Sequence, residues 1–261
     1  MILIRGAGDI ASGIAVRLFR CGFTLAMTDL EKPTSIRRTV CFSEAILHGA
    51  CAVEGITAER AVTKADAQQI WAHGHIPVFA DDSGKALSLL APEAVVDARL
   101  AKVNVDTSLT DAPIVVAVGP GFTAGQDCHA VVETQRGHYL GRAIYEGSTA
   151  PNTGVPGDIG GYTVERIIRA PKAGVFHPLC TIGDQVAAHE TVACVDDMPV
   201  TCEIGGTLRG ILPEGILVHE GMKSGDVDPR CQPDHCLCAS DKALSVAGGV
   251  LEALLHFGYR E

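Results

Sequence analysis

The sequence predicts an α/β protein: a mostly parallel sheet covered by helices on both faces, then a separate all-β module, then a C-terminal helix. Three observations carry this expectation. Continuous apolar runs such as Ile2–Ile4, Ile76–Ala80 and Ile114–Val118 alternate with helical patterns, the order that buried parallel strands and their crossover helices produce. A glycine turn, Gly6-Ala7-Gly8, joins the first strand directly to the first helix. The second part of the chain repeats a glycine pattern at a spacing of 32 residues.

The first strand runs into Gly6-Ala7-Gly8-Asp9-Ile10-Ala11, and Ile10, Ile14, Ala15 and Leu18 line one face of the following helix. Gly6 permits the tight turn, Gly8 lets the backbone approach a pyrophosphate, and the small Ala11 lets helix and strand pack closely. Bare amides and the helix dipole suit this end of the helix to phosphate. A second strand, Leu25–Asp29, ends in an acid 21 positions beyond Gly8, where a carboxylate can hold a ribose hydroxyl. Gly6, Ala7, Gly8, Asp9, Ile10, Ala11 and Asp29 are therefore candidate residues for NAD(P) or another nucleotide-bearing ligand. A ligand-free turn would use the same glycines, so fold and site are separate expectations. Arg37 and Arg38 follow at positions suited to neutralising a 2′-phosphate or another anion.

Further along, a helical patch at 43–47, strands at 51–54 and 57–62, a helix at 64–72, a strand at 76–80, a helix at 85–90 and strands at 94–97 and 114–118 complete a Rossmann-like domain. The last of these strands ends in Gly119-Pro120-Gly121, a second glycine loop that walls the same cleft or simply leads into the next hairpin. Residues 128–146 read as that hairpin, with Gln135-Arg136-Gly137 near its turn, and 149–161 as a glycine- and proline-rich loop. The expected domains are 1–165, 166–230 and a helical segment at 231–261 that packs back on the first. Ser240 is its N-cap, and Leu244, Leu251, Leu254 and Leu255 form its apolar stripe.

Composition narrows the function classes. The 261 residues carry a net charge of −10, which argues against a nucleic-acid backbone or an anionic membrane as partner. No apolar run approaches a membrane span, and the opening residues resemble a strand rather than a secretory leader. Ten cysteines scattered through apolar segments suit reduced thiols and a cytoplasmic setting. Self-association into a homo-oligomer is left open.

In the second module Gly174, Gly183 and Val186 recur as Gly206, Gly215 and Val218. Neither copy alone buries a core; interlocked, the two do. With Ala170-Pro171, Gly183-Asp184-Gln185-Val186 and Glu190, the pattern resembles the barrel-sandwich hybrid of biotinyl and lipoyl domains. The central hairpin tip reads Asp196-Asp197-Met198-Pro199, without the carrier lysine, so a structural or docking element is expected instead of a swinging arm.

Two clusters invite chemistry. Cys128-His129 offers a thiolate–imidazolium pair and is the candidate catalytic site, although neighbours on a strand point to opposite faces. Cys231, His235, Cys236 and Cys238 are metal-capable, but their spacing matches no zinc finger or ribbon and no metal centre is expected. Asp226-Val227-Asp228 reads either as paired carboxylates or as a solvated turn.

The chain resembles the YqeB-type proteins linked to selenium-dependent molybdenum hydroxylases. The residues that carry the resemblance are Ile4–Gly13, Gly119–Gly125, Asp127–Val131, Asn152–Gly157, Gly225–Arg230, Ser240–Lys242 and Gly248–Ala253. Cys231 stands where the family pattern has glycine. The resemblance implies an accessory role in maturing such a hydroxylase, with the hydroxylase or its cofactor-delivery proteins as partners. A free-standing NAD(P)-dependent oxidoreductase and a non-catalytic scaffold for cofactor transfer are the alternatives. No Tyr-x-x-x-Lys relay supports the former.

Overall fold

The computed structural model describes residues 1–81 and 83–260. They form two compact units, one made of 1–33, 41–153 and 239–261, the other of 34–40 and 154–238.

The first unit is built on nine strands. These are β1 (Ile2–Arg5), β2 (Leu25–Asp29), β3 (Ala50–Val53), β4 (Ile56–Ala61), β5 (Ile76–Ala80), β6 (Ala94–Asp97), β7 (Ile114–Val118), β9 (Ala130–Val132) and β10 (Ala143–Ile144); β8 (Thr123–Ala124) pairs outside this sheet with β11 (Gly147–Ser148). Their order is β10-β9-β7-β6-β1-β2-β5-β4-β3. All pairs from β9 through β4 are parallel, and only the outermost, β10–β9 and β3–β4, are antiparallel. The parallel strands are apolar on both faces, as a doubly covered sheet requires: all five residues of β7 and all four of β1 are buried. The helices are α1 (Asp9–Arg20), α2 (Glu44–His48), α3 (Lys64–Ala72), α4 (Lys85–Leu90) and α5 (Asp241–His256).

Alternate strand positions sort the layers. Leu3, Val95 and Val115 share a core with Ile70 of α3 and Leu90 of α4. Helix α5 lies along α1 and also touches β7, β9 and β10. Small residues set that approach. A Cβ on Gly13 would lie 2.6 Å from the Ala243 Cβ, and one on Gly249 would collide with the Gly141 carbonyl. β2 follows β1 on one side and β6 returns to pair on the other, so the sheet reverses its winding between β1 and β6. Doubly wound sheets bind ligands at that reversal.

The second unit holds two four-stranded antiparallel sheets. In β12-β19-β17-β14 the strands are β12 (Ile167–Arg169), β14 (Gln185–Val186), β17 (Gly206–Ile211) and β19 (Lys223–Asp228). In β16-β15-β13-β18 they are β13 (Gly174–Pro178), β15 (Thr191–Val195), β16 (Met198–Thr201) and β18 (Ile216–Val218). Phe176, Val192, Val195, Leu208, Ile211 and Val227 fill the core, and the sheets do not close into a barrel. The repeat is interlocked. β13 of the first copy pairs with β18 of the second, and β17 of the second pairs with β14 of the first. Even the tight approaches repeat: a Cβ on Gly174 would meet Asp196 and Val195, and one on Gly206 would meet Asp228 and Val227, each partner 32 positions on.

The boundaries differ from those expected. The division falls at 153/154 instead of 165, because Arg166 and the preceding loop belong with β12 and β19. Residues 34–40 join the second unit, where the Ile36 carbonyl accepts from Ile211 N–H at 2.8 Å. Residues 231–238 stay there as well, and the return to the first unit begins at Ala239.

Candidate functional site

The glycine turn is braced from several sides. Gly6 N–H donates to Thr28 O at 2.8 Å, continuing the β1–β2 ladder past its end. Asp29 at the tip of β2 accepts from Ala7 N–H at 2.8 Å through one carboxylate oxygen and from Leu30 N–H at 2.8 Å through the other. Burial raises its pKa, against the pull of these two amides. The Ala7 carbonyl accepts from Ser12 Oγ at 2.9 Å and from Ser43 N–H at 3.0 Å, while Ser12 Oγ also accepts from Phe42 N–H. Asp29 thus holds the turn against β2, a task beyond the ribose contact its position suggested.

Gly6 and Gly8 differ in what requires them. Gly6 has φ +105°, and a Cβ there would lie 2.9 Å from Ala98 O, so it is glycine because the chain leaving β6 crosses it. Gly8 has φ −74° and ψ −171°, which any residue adopts, and as N-cap it offers no side chain to the first turn of α1. Ile10 and Ala11 are buried under the turn.

At the reversal between β1 and β6 lies a polar network outside the predicted set. Arg5, the last residue of β1, donates to Thr107 Oγ1 at 3.0 Å and to Asp106 at 2.6 Å. Arg99 forks onto Asp97 at the end of β6, with Nη2–Oδ2 at 2.6 Å, and reaches Asp106 at 2.7 Å. Thr107 Oγ1 donates to Asp97 at 2.6 Å, and Asn104 ties the same loop to Asp127 at 3.1 Å. Asp106 is held below the usual carboxylate range because the two arginines outweigh its burial. The network pins loop 98–113 across the strand ends. The sequence signal was a charged residue closing an apolar strand (Arg5, Asp97); the partners of Arg5 lie about a hundred positions away and carry no spacing, whereas those of Asp97 follow within ten.

The second glycine loop is closed by protein. A Cβ on Gly119 (φ +85°) would lie 3.0 Å from Thr134 Oγ1, and one on Gly121 (φ +106°) 2.6 Å from Val103 Cα. Both glycines therefore answer to close chain packing, and no bare wall faces a cleft at Gly121.

The expected Cys128–His129 pair is not formed. Cys128 is fully buried in the core with Val115, Ala117 and Phe122, and burial together with Asp127 pushes its thiol up to about 12. His129 points elsewhere: its Nδ1 accepts from Val115 N–H at 3.0 Å and its ring stands edge-on to Phe257 of α5, 5.5 Å between centroids. Alternation along the extended chain separates the two side chains, and a thiol that stays protonated is no nucleophile at neutral pH.

Beyond β9, Glu133 is buried and accepts from Thr134, Gln135 and Ala150 N–H groups, all at 2.7 Å. Arg136 forks onto Asp241 at 2.7 and 2.8 Å, and Ser240 Oγ caps α5 through Ala243 N–H. Lys242 stands half-buried among Arg136, Asp9, Glu133 and Asp241; burial, then Arg136, draws its pKa below the usual lysine value. The Ser240 cap is the one the sequence predicts.

Arg37 and Arg38 belong to the second unit and not to the glycine turn's own fold. Arg37 is buried and donates to the carbonyls of His235 (2.8 Å) and Cys238 (3.2 Å); Arg38 Nε donates to Ile211 O at 3.1 Å. Both hold residues 34–40 in place. Asp226 and Asp228 lie in β19 and not in a solvated turn. Asp226 pairs with Arg166 and, at 3.1 Å, with Arg209; Asp228 pairs with Arg230 at 2.6 Å and Arg209 at 3.4 Å. Cys236 is buried, Cys231 and Cys238 are exposed, and among the described residues no three His, Cys, Asp or Glu side chains converge on one point. At the tip, Lys172 pairs with Asp197 at 2.9 Å and Asp196 at 3.3 Å. No helix is long and apolar enough to cross a membrane among the described residues.

A mostly parallel α/β unit with a braced glycine turn, joined to a two-sheet β unit, defines the class of protein. No family model matches the chain. It is 48% identical over 255 residues to a protein of Escherichia coli (strain K12) described as "Uncharacterized protein YqeB", an alignment that takes in 98% of this chain and 47% of that one. The likeness to YqeB runs over nearly the whole of this chain, which spans about half the length of that relative. Among solved structures, a succinylglutamate desuccinylase/aspartoacylase from Rhodobacter sphaeroides matches at 17% identity and TM-score 0.23, over 35% of this chain and 28% of that one. An aspartoacylase family protein from Mesorhizobium loti matches at 11% identity and TM-score 0.28, over 87% and 83%. Scores this low define no common fold.

Proposed function

We propose that this chain binds a nucleotide-bearing ligand, NAD(P) or a relative of it, at the Gly6–Ala11 turn and acts in the cytoplasm as an accessory factor in maturing a selenium-dependent molybdenum hydroxylase. The observation that carries the binding half is the start of α1. A rigid turn, fastened by Asp29, Ser12 and Ser43, presents a twelve-residue helix whose N-cap is Gly8 and has no capping side chain. Amides and dipole there favour a phosphate. The maturation half rests on the motif resemblance and on the similarity to YqeB. On this reading the hydroxylase or its cofactor-delivery proteins are the partners, and the second unit is a docking module akin to a barrel-sandwich hybrid, without a carrier lysine at its Asp196–Pro199 tip. Cys128 takes no part.

The test is thermal shift of the whole chain against NAD, NADP, ATP and mononucleotides, for the native sequence and Gly8→Val. A ligand at a hundred times its Kd stabilises by about 2.7 kcal/mol. That gain is expected for at least one nucleotide with the native sequence and is lost in Gly8→Val. Absence of any nucleotide effect removes the binding half and leaves a scaffold.

A further inference from the structure

The reversal of the sheet between β1 and β6 carries a second site. We propose that Arg5 and Arg99 bind a phosphate or carboxylate group of a ligand, and that Asp106 of loop 98–113 occupies this anion site as an internal stand-in that the ligand displaces. The inference stands apart from the nucleotide reading of the glycine turn.

Place comes first. Arg5 closes β1 and Arg99 follows β6, so both guanidinium groups stand at the C-terminal edge of the sheet, where doubly wound sheets take their ligands. The cations are also fixed before any ligand arrives. The Arg5 side chain is only 6% exposed, and Thr107 Oγ1 accepts from Arg5 at 3.0 Å and from Arg99 at 3.1 Å while donating to the buried Asp97. The anion between them is not buried in the same way. Asp106 is 43% exposed and takes both arginines on a single oxygen, Oδ1, at 2.6 and 2.7 Å. Its Oδ2 makes no hydrogen bond among the described residues.

The exchange strands no charge. Arg99 keeps Asp97 at 2.6 Å and Arg5 keeps Asp111 at 3.6 Å, so Asp106 is the third carboxylate on two guanidinium groups among the described residues. A ligand carboxylate replaces it like for like. A phosphate gives each guanidinium an oxygen of its own, which Asp106 does not, and the planar fork of arginine suits either group. The loop stays in place without Asp106, because Thr107 still donates to Asp97 and Asn104 still donates to Asp127 at 3.1 Å. Only the Asp106 side chain has to swing aside.

Calorimetric titration of the full chain with inorganic phosphate and with succinate tests the assignment and separates the two ligand classes. An internal competitor lowers apparent affinity by the fraction of time it holds the site, so Asp106→Asn is expected to bind at least one of the two anions about 10-fold more tightly than the native chain. Adding Arg99→Gln to that variant should abolish the gain, whereas adding Gly8→Val should leave it. A gain for phosphate alone assigns the site to phosphoryl groups, and a gain for succinate alone assigns it to carboxylates. Equal affinities in the native chain and Asp106→Asn, or no binding by either, overturn the proposal. A gain that survives Arg99→Gln, or that is lost with Gly8→Val, overturns it as well. Carbon NMR of the Asp106 carboxylate in the native chain decides the matter even if Arg99→Gln fails to fold: the signal should move toward that of a solvated aspartate as phosphate or succinate saturates, and a signal that stays where it was overturns the displacement.

Discussion

Replacing Gly6 by alanine separates what the fold demands of the turn from what a ligand demands. The backbone at Gly6 has φ +105°, a conformation that costs an L residue roughly 1–2 kcal/mol. The new methyl would also lie 2.9 Å from Ala98 O, 3.0 Å from Ala98 C and 3.1 Å from Arg99 N. These are backbone atoms and they have little room to yield. Ala98 N–H donates to Arg5 O at 2.8 Å, and Arg99 is forked onto Asp97. Overpacking of this kind adds roughly 1–3 kcal/mol, for a combined loss of about 2–5 kcal/mol, a large part of a domain's typical stability. Urea unfolding followed by the fluorescence of Trp71, whose indole donates to Leu25 O beside β1, reports on this unit. The midpoint should drop without any ligand present, and by more than in Gly8→Val, where the backbone is one that any residue adopts. A Gly6→Ala midpoint within about 0.5 kcal/mol of native, the range of a neutral surface change, would refute the steric reasoning.

Alkylation of the native protein at neutral pH should label exposed Cys21, Cys231 and Cys238 first and Cys128 only on unfolding, as mapped by mass spectrometry; rapid labelling of Cys128 would contradict its burial and raised pKa. Asp226→Ala should cost about 3–5 kcal/mol, because it leaves the buried Arg166 guanidinium without its carboxylate; a loss below about 1 kcal/mol in denaturant titration would show the pair to be dispensable. Burial raises the Asp228 pKa, but Arg230 and Arg209 outweigh it and hold the group below its ordinary 3.8. Its contribution to stability is therefore present above that value and lost as pH falls below it. Acid titration of Asp228→Asn should show a shallower decline over that range than the native chain; parallel curves would remove Asp228 as the cause. Native mass spectrometry of protein from cells should find neither biotin nor lipoate on Lys172, whose ammonium is tied to Asp196 and Asp197.

The parallel sheet was legible because strands buried on both faces, such as Ile114–Val118, have no polar alternation to confuse them, and Gly6-Ala7-Gly8 punctuates the strand-to-helix turn. The interlocked β repeat was legible because the same steric need, glycine against the residues 22 positions on, recurs in each copy (174 with 196, 206 with 228). The polar chemistry was less so. Arg5 and Thr107 meet only through the sheet's winding, and Arg166 meets Asp226 across an antiparallel pair, so no local spacing announces either. Asp226-Val227-Asp228 resembles a turn in sequence because alternation of charge and valine marks both a loop and a strand whose polar face is paired internally. Cys128-His129 misled for the opposite reason: adjacency along an extended chain separates side chains instead of joining them.

Backbone amide NMR of the labelled chain titrated with ADP tests the glycine-turn site most directly, because the amides at the head of α1 are the proposed phosphate ligands. The expected result is saturable shifts centred on Gly8, Ile10 and Ala11. Shifts confined to other segments, or none at saturating ADP and NAD, would contradict nucleotide binding at this turn.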